Sequence, residues 1–550
     1  MDRRSFIKKS AVVSFAATLP TAIACNRHYD FDIIIQNGLL YDGFSANPVN
    51  ADLGVKDGKI TAIGMLKNKS ARRQIDAKNR VVCPGFIDIH GHSDDDLLVD
   101  GRALSKIHQG VTTEVVGQDG GSMAPLNNAM IEAREKYYKE RYGLEAMWSD
   151  FSGYFSVLKQ RGISMNLASM VGAGTLRENV IGMADRPATA DELSQMQHLF
   201  AEALQQGARH ISTGLEYTPG SFASEDELAQ LVSVMQPNGI YATHMRNEDD
   251  RVVEAIREAI AIAEKGGVRL HISHLKVQGE RNWHKLEEII HLLDATRNRG
   301  LHVTCDRYPY VAYSTGLTNL FPLWSREGGR EEFIKRLQNQ GLQTQIRSAV
   351  DEKIASLGSW NAVQISSLGK NTAFVGKRLG DLAEESGKPP FEFLLNLMID
   401  EGGRGGMVGF GMSEENTAAI LQYPFTVIAS DGSALAEKGP LAEGNPHPRN
   451  FGTFARVLGH YTRDKNIINL SEAIRKMTAL PADILGCEDR GRIKPGMWAD
   501  IVVFDPDKVK DKATFAQPKQ FSEGFKLVLV NGIPVLENDE HLGTKPGVIL

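Results

Sequence analysis

Four histidines in this chain stand where apolar, strand-like runs end: His90 and His92 in VVCPGFIDIHGH, His244 in GIYATHMRNE, and His274 in VRLHISHLK. Asp431 ends a fifth such run, FTVIASDGS. Imidazole nitrogens and a carboxylate converging at one end of a set of buried strands make a site for a divalent metal, zinc above all, and a metal there would activate water. A lone His-x-His pair is weak, because most such pairs are surface or core histidines. The constellation of four strand-end histidines and an aspartate is what carries the reading.

Hydrophobic patterning gives the strands and helices that carry these residues. Strand-like runs at 86–90, 111–116, 166–171, 209–213, 240–244, 270–274, 303–306 and 425–431 alternate with amphipathic stretches such as DELSQMQHLFAEALQQG, EDELAQLVSVMQ and HKLEEIIHLLDATRNRG. This count predicts an α/β fold, a (β/α)₈ TIM-like barrel whose site lies at the C-terminal ends of the strands, and the five residues above fall there. The stretch 317–411 is too long for an ordinary loop and rich in helix-forming segments, so it reads as an inserted helical subdomain.

At both ends of the chain, short alternating runs punctuated by Asn-Gly and Asp-Gly turns (FDIIIQNGLLYDG, ADLGVKDGKITAIG, ADIVVFDP, FKLVLVNGIPVLE) predict two halves of one small β-sandwich. The expected organisation is a signal at 1–27, sandwich at 28–84 and 489–550, and barrel at 85–488. The signal reading rests on Arg3-Arg4-Ser5-Phe6 followed by AVVSFAATLPTAIAC, which resembles a twin-arginine export signal. Ala22-Ile23-Ala24-Cys25 looks like a relaxed lipoprotein cleavage site. The expectation is a periplasmic protein, with Cys25 as a candidate lipid anchor; the alternative is a plain cleaved signal with an incidental cysteine.

Composition bounds the function classes. With 62 basic and 68 acidic residues, a net charge of −6 and no basic stripe, nucleic acid is not an expected partner. Cys83, Cys305 and Cys487 are widely spaced and give no disulfide framework. Glycine runs such as GGSMAP lack the pattern of a phosphate loop. His108, His198, His291 and His460 lie in helical stretches, and alternation turns His271 away from His274, so none is assigned a role. Nothing in the sequence gives the oligomeric state.

The motifs PGFIDIHGH, GVTTEVVGQDGGSMAPL, ISTGLEYTPG, YATHMRNE, HISHLK, RYPYVAYSTGL, HPRNFGTFARVLG and AIRKMTALPADILG resemble the amidohydrolase superfamily and, within it, the N-acyl-D-amino-acid deacylases or D-aminoacylases, over about 30–540. The resemblance implies hydrolysis of an N-acyl-D-amino acid to a carboxylate and a free D-amino acid. It also implies that His90 and His92 hold one metal with Asp431 close by, while His244 and His274 hold the tightly bound zinc. Where the family has a metal-ligating cysteine, this chain has Gly117-Gln118-Asp119-Gly120. Asp119 can ligate through two oxygens but is harder than a thiolate, which shifts the expected preference from Zn²⁺ toward Mn²⁺ or Co²⁺. The alternative is a capping residue beside a weaker site.

Amide hydrolysis needs a polarised carbonyl and a base. Asp431 is the candidate base, taking a proton from water and delivering it to the departing amine; a helix cap is the alternative, since SDGS is also capping chemistry. The substrate's α-carboxylate calls for cationic and hydroxyl partners: Lys276 and Arg449 near strand ends, with Tyr308 and Ser314 at matching family positions. Tyr217 is a candidate pocket wall or carbonyl donor. Each has a structural alternative as a solvated charge, core aromatic or turn residue. Arg307 replaces a common glutamine and points to an acidic acyl or amino-acid side chain. Two other readings stand beside the deacylase: an amidohydrolase for a cyclic amide or small dipeptide, of hydantoinase, dihydroorotase or isoaspartyl dipeptidase type, and a non-catalytic binding protein on the same scaffold. No strand-four lysine suggests the bridging carbamate of the hydantoinase type.

Overall fold

A computed structural model describes residues 29–145 and 147–550, so the twin-arginine segment and Cys25 lie outside the described residues. Eight parallel strands carry the site: Phe86–Asp88, Val111–Val116, Asn166–Ser169 continued by Val171–Gly172, Ile211–Gly214, Ile240–His244, Arg269–Ile272, Val303–Arg307 and Thr426–Ile428. Each pairs in parallel with the next in chain order. Beyond the eighth, a parallel bridge from Gly432 to Gly91 returns to the first, fixed by Asp431 N–H donating to the His90 carbonyl at 2.8 Å and His92 N–H to the Gly432 carbonyl at 2.9 Å. The strand order therefore comes back to its start.

Period-two alternation separates two buried layers. Ile87, Ile89, Val115, Ala168, Ile240, Ala242, Val427 and Ala429 share one apolar cluster. Their strand neighbours Phe86, Val116, Leu167, Tyr241 and Ile428 join another, together with helix residues such as Ile256, Ile260 and Leu293. Strands buried on both faces read as near-continuous apolar runs, which is why they were legible in sequence. Between them, helices such as Ala190–Gln205, Val252–Gly266 and Leu286–Asn298 lie with their apolar faces against the strands. Ala190–Gln205 begins on a reciprocal Thr189/Glu192 capping box, worth about 0.5–2 kcal/mol.

The chain ends meet. Ile501–Phe504 pairs antiparallel with Val81–Pro84 inside a seven-stranded sheet, while Phe31–Gln36 lies in a separate four-stranded sheet. Ile33, Ile35, Leu53 and Val55 from the smaller sheet share one apolar cluster with Leu40, Val82, Ile501 and Leu527 from the larger.

The 317–411 segment corrects the expectation of a helical insertion. It contains helices, including Arg330–Gln338, Gln340–Leu357 and Pro390–Asp400, but also strands Val363–Ser367 and Gly406–Phe410. These strands form an antiparallel trio with Ala312–Gly316. The short apolar runs AVQIS and GMVGF carry the β-pattern that the surrounding helical periodicity masked. The segment has its own apolar cluster, with Leu337, Ile346, Val350, Leu394 and Met398 at its centre. No helix among the described residues is long and apolar enough to cross a membrane.

Candidate active site

His90 and His92 lie just past the hydrogen-bonded end of the first strand. The residue between them has to be glycine, because a Cβ on Gly91 would sit 1.7 Å from Glu114 Oε1. His90 Nε2 points at Asp119 Oδ1, 3.5 Å away, and His92 Nε2 lies 3.0 Å from Asp431 Oδ1 and 3.6 Å from Asp119 Oδ2. On the other side of Asp119, His274 Nε2 is 3.6 Å from Oδ1 and His244 Nδ1 is 3.8 Å from Oδ2. Two metal-competent groups meet at Asp119, His90/His92/Asp119/Asp431 and Asp119/His244/His274, and a third, Glu216/His244/Glu248, adjoins the second through His244, with candidate donor atoms in each within 4.8 Å of one another. The structure thus brings every expected metal-site residue to one place, with the Asp119 carboxylate facing the imidazoles of His90, His92, His244 and His274.

Three of these residues have left-handed backbone: Asp119 at φ 53°, His274 at φ 35° and Asp431 at φ 48°. Such conformations cost on the order of 1–3 kcal/mol each and persist where the surroundings fix them. Here the fixings are visible. Asp431 N–H is tied to the first strand as described, His274 N–H donates to Asp306 Oδ1 at 2.9 Å, and around Asp119 the N–H groups of Gly117 and Gly120 donate to Asp94 Oδ1 at 3.0 Å and Ser212 Oγ at 3.1 Å. The turn of the backbone at each strand end aims the side chain across the mouth of the ring.

The electrostatics describe a place for positive charge. Burial alone would push the imidazoles down, but neighbouring carboxylates outweigh it. His90 stands well above the usual histidine range beside Asp306 and Asp119; His92 is raised to about 9 by hydrogen bonding to Asp119 and Asp431; His244 rises to about 10 beside Glu248 and Asp119. Burial works against charge on Asp119 and Asp431 too, and is overcome by His90 and His274 at the first and by Arg449 and His274 at the second, so both are held below the usual carboxylate range. His90 Nε2 and Asp119 Oδ1 are buried without a hydrogen-bond partner. An unpartnered imidazole nitrogen facing an unpartnered carboxylate oxygen, among more imidazoles, fits a divalent cation.

The five expected substrate residues all line one cavity of about 420 Å³ above these groups. Lys276 Nζ is 2.6 Å from Glu248 Oε1 and 2.7 Å from His274 Nδ1. Arg449 grips Asp431 with two hydrogen bonds, 2.7 and 3.0 Å, and its guanidinium lies 4.8 Å over the Tyr308 ring. The Tyr308 hydroxyl is buried without a partner. Tyr217 shares a 3.2 Å hydrogen bond with Thr315, and Ser314 sits on the strand Ala312–Gly316 rather than in a turn. Both cations are thus ion-paired rather than solvated loop charges.

Arg307 is a correction. It is 1% exposed, donates to the Tyr310 carbonyl and to Thr417 Oγ1, and does not line the cavity, so it cannot meet an acidic side chain there. Strand alternation is the reason: Asp306, its neighbour, faces inward and Arg307 outward.

Sequence reasoning missed the carboxylates that hold the ligands. Asp306 accepts from His90 Nδ1 at 3.2 Å and His271 Nε2 at 3.0 Å, besides the His274 amide, which gives His271 a supporting place. Glu248 contacts His274 Nδ1 at 3.1 Å, and Glu216 lies 3.4 Å from His244 Nε2. Such partners fix tautomer and ring orientation in metal sites. The available signal was positional: Asp306 closes the seventh run read in the sequence, 303–306, one residue before the end of the strand Val303–Arg307.

Residues 73–536 match the amidohydrolase family. The chain is 35% identical to a D-aminoacylase of Alcaligenes xylosoxydans xylosoxydans, over 94% of this chain and 97% of that protein. It is 34% identical to an N-acyl-D-glutamate deacylase of the same organism, over 94% and 96%. A solved structure of N-acyl-D-glutamate deacylase from Bordetella bronchiseptica, complexed with zinc and a phosphonate inhibitor that mimics the tetrahedral intermediate, superposes with a TM-score of 0.80 at 33% identity, covering 94% of this chain and 99% of that one. The chain therefore belongs to the amidohydrolase family and, within it, to the N-acyl-D-amino-acid deacylases.

Proposed function

We propose that this chain is a metal-dependent amidohydrolase that cleaves the amide bond of N-acyl-D-amino acids, giving a carboxylate and a free D-amino acid. The observation that carries this is the meeting of two histidine clusters at Asp119, on the floor of a cavity that also holds Asp431, Arg449 and Lys276. The whole-length likeness to D-aminoacylases supports it.

His90, His92, Asp119, His244, His274 and Asp431 would hold the metal. When bound, a divalent cation supplies carbonyl polarisation and makes water acidic enough to lose a proton near neutral pH. The rest falls to the protein. Asp431, ionised because Arg449 and the imidazoles hold its acidity, takes the proton from the attacking water. A C–O bond forms at the acyl carbon, the C–N bond breaks, and Asp431 returns the proton to the amine nitrogen. Arg449 and Lys276, with Tyr308 and Ser314, bind the α-carboxylate, and that anchor fixes which face of the amide meets Asp431. Tyr217 closes the wall beside His244, its ring centroid 4.7 Å from the imidazole.

Zinc is the preferred metal in this reading, and the carboxylate at Asp119 favours Mn²⁺ or Co²⁺ more than a thiolate would. The returning order of parallel strands supports a (β/α)₈ TIM-like barrel, and the shared core of the two terminal sheets supports a β-sandwich made from both chain ends. The twin-arginine motif supports export to the periplasm, with Cys25 as a lipid anchor.

Paired N-acetyl-D- and N-acetyl-L-amino acids, assayed for released amine with zinc-loaded protein, test the reaction. D-selective release is expected. Equal rates on both enantiomers, or none on either, would overturn it.

A further inference from the structure

The cavity wall contributed by the insertion and its neighbouring strand carries an unmet hydrogen-bonding demand. Tyr313 lies opposite Gly409 in the pairing of Ala312–Gly316 with Gly406–Phe410. A Cβ at Gly409 would fall 2.4 Å from the Tyr313 ring, so the glycine is what lets the ring lie across the next strand. Tyr313 is 5% exposed and lines the cavity, and its hydroxyl is buried with no partner. Leaving a buried hydroxyl unpaired is costly unless something else pairs with it. Ser366 and Ser367, on the third strand of the trio, line the same cavity.

Charge narrows what that partner can be. Lys276 and Arg449 are the lysine and arginine lining the cavity among the described residues, each is already held by a carboxylate, and the deacylase reading commits both to the α-carboxylate. Lys353, whose charge reaches Tyr313 and Glu216, is held by Asp249 at 2.9 Å, and Arg141 by Glu443 at 2.6 Å. Glu216 and Glu443 line the cavity as well. A second anionic group on the substrate would meet carboxylates and hydroxyls with no free cation to balance it, whereas an amide or hydroxyl would find both donors and acceptors.

We propose that Tyr313, with Ser366 and Ser367, forms the side-chain subsite, and that the preferred substrates are N-acyl-D-amino acids with uncharged hydrogen-bonding side chains, amide or hydroxyl, rather than acidic ones. This rests on the deacylase reading. The test compares kcat/KM for N-acetyl-D-glutamine, its isosteric acid N-acetyl-D-glutamate, and N-acetyl-D-norleucine, in the zinc-loaded protein and in Tyr313→Phe. The variant keeps the ring over Gly409 and removes only the hydroxyl. Glutamine is expected to exceed glutamate at least tenfold, and the glutamine-to-norleucine ratio to fall fivefold or more in the variant. Glutamate equal to or better than glutamine, or an unchanged ratio in Tyr313→Phe, would overturn the proposal. Calorimetric binding of free D-glutamine and D-glutamate separates the two levels. If none of the three N-acetyl compounds is hydrolysed, the deacylase reading fails, while tighter binding of D-glutamine still supports the subsite and tighter binding of D-glutamate overturns it.

Discussion

Asp119, His274 and Asp431 hold their side chains on left-handed backbone at the ends of buried parallel strands, each held by hydrogen bonds from its own or an adjacent backbone N–H. Tyr313, Ser366 and Ser367 instead come from an antiparallel trio largely built from an insertion with its own apolar core. The first region spends backbone strain on fixing a few atoms to a fraction of an ångström, as chemistry requires. The second presents hydroxyls on a wall with its own apolar core, joined to the first where Asn319 donates to Glu216 Oε2 at 3.3 Å and Thr315 bonds to Tyr217. The contrast separates the atoms held for chemistry from the wall proposed to choose the substrate's side chain.

Four substitutions test that contrast. Asp119→Ala should have the largest effect, since both clusters share this side chain: at least one equivalent of metal is lost by elemental analysis and turnover with it. Unchanged stoichiometry would end its role as a ligand. Asp431→Asn should keep metal while kcat falls by about 10²–10⁴, the usual contribution of a positioned base; near-normal turnover would remove it from the mechanism. Asp306→Ala, which touches no substrate, should weaken metal affinity by roughly 10–100-fold through loosened His90 and His274. Titration with a competing chelator reads this, and unaltered affinity would contradict the supporting role. On the other side of the contrast, Gly409→Ala should displace the Tyr313 ring and lower kcat/KM about tenfold, in line with the sensitivity of rate to small misplacement. Its metal content should stay at the wild-type value. A loss of metal there would show that the two regions are coupled.

The sequence made one region legible and left the other obscure for physical reasons. Strands buried on both faces are continuous apolar runs, so their ends, and the histidines and aspartates on them, can be placed within a few residues: the sixth run was expected to reach His274, and the paired strand stops at Ile272. The supporting carboxylates Asp306 and Glu216 were hidden because they act on partners 28 or more residues away, as in the 3.4 Å approach of Glu216 to His244, whereas Glu248 stands four positions after His244 in HMRNE and meets His274 26 positions on. Arg307 misled because a departure from the family's common glutamine says nothing of which way the side chain faces, and one step of alternation turns it out of the cavity. The insertion's strands were lost among helices, and with them Gly409, whose meaning depends on a ring 96 positions earlier in the chain.

The most direct test of the account is stepwise metal removal from one zinc-loaded preparation, with bound metal and release of amine from an N-acetyl-D-amino acid measured on the same samples. The account predicts that turnover vanishes once the clusters around Asp119 are emptied and returns on readdition of zinc. D-selective turnover that persists after all metal is gone would contradict it.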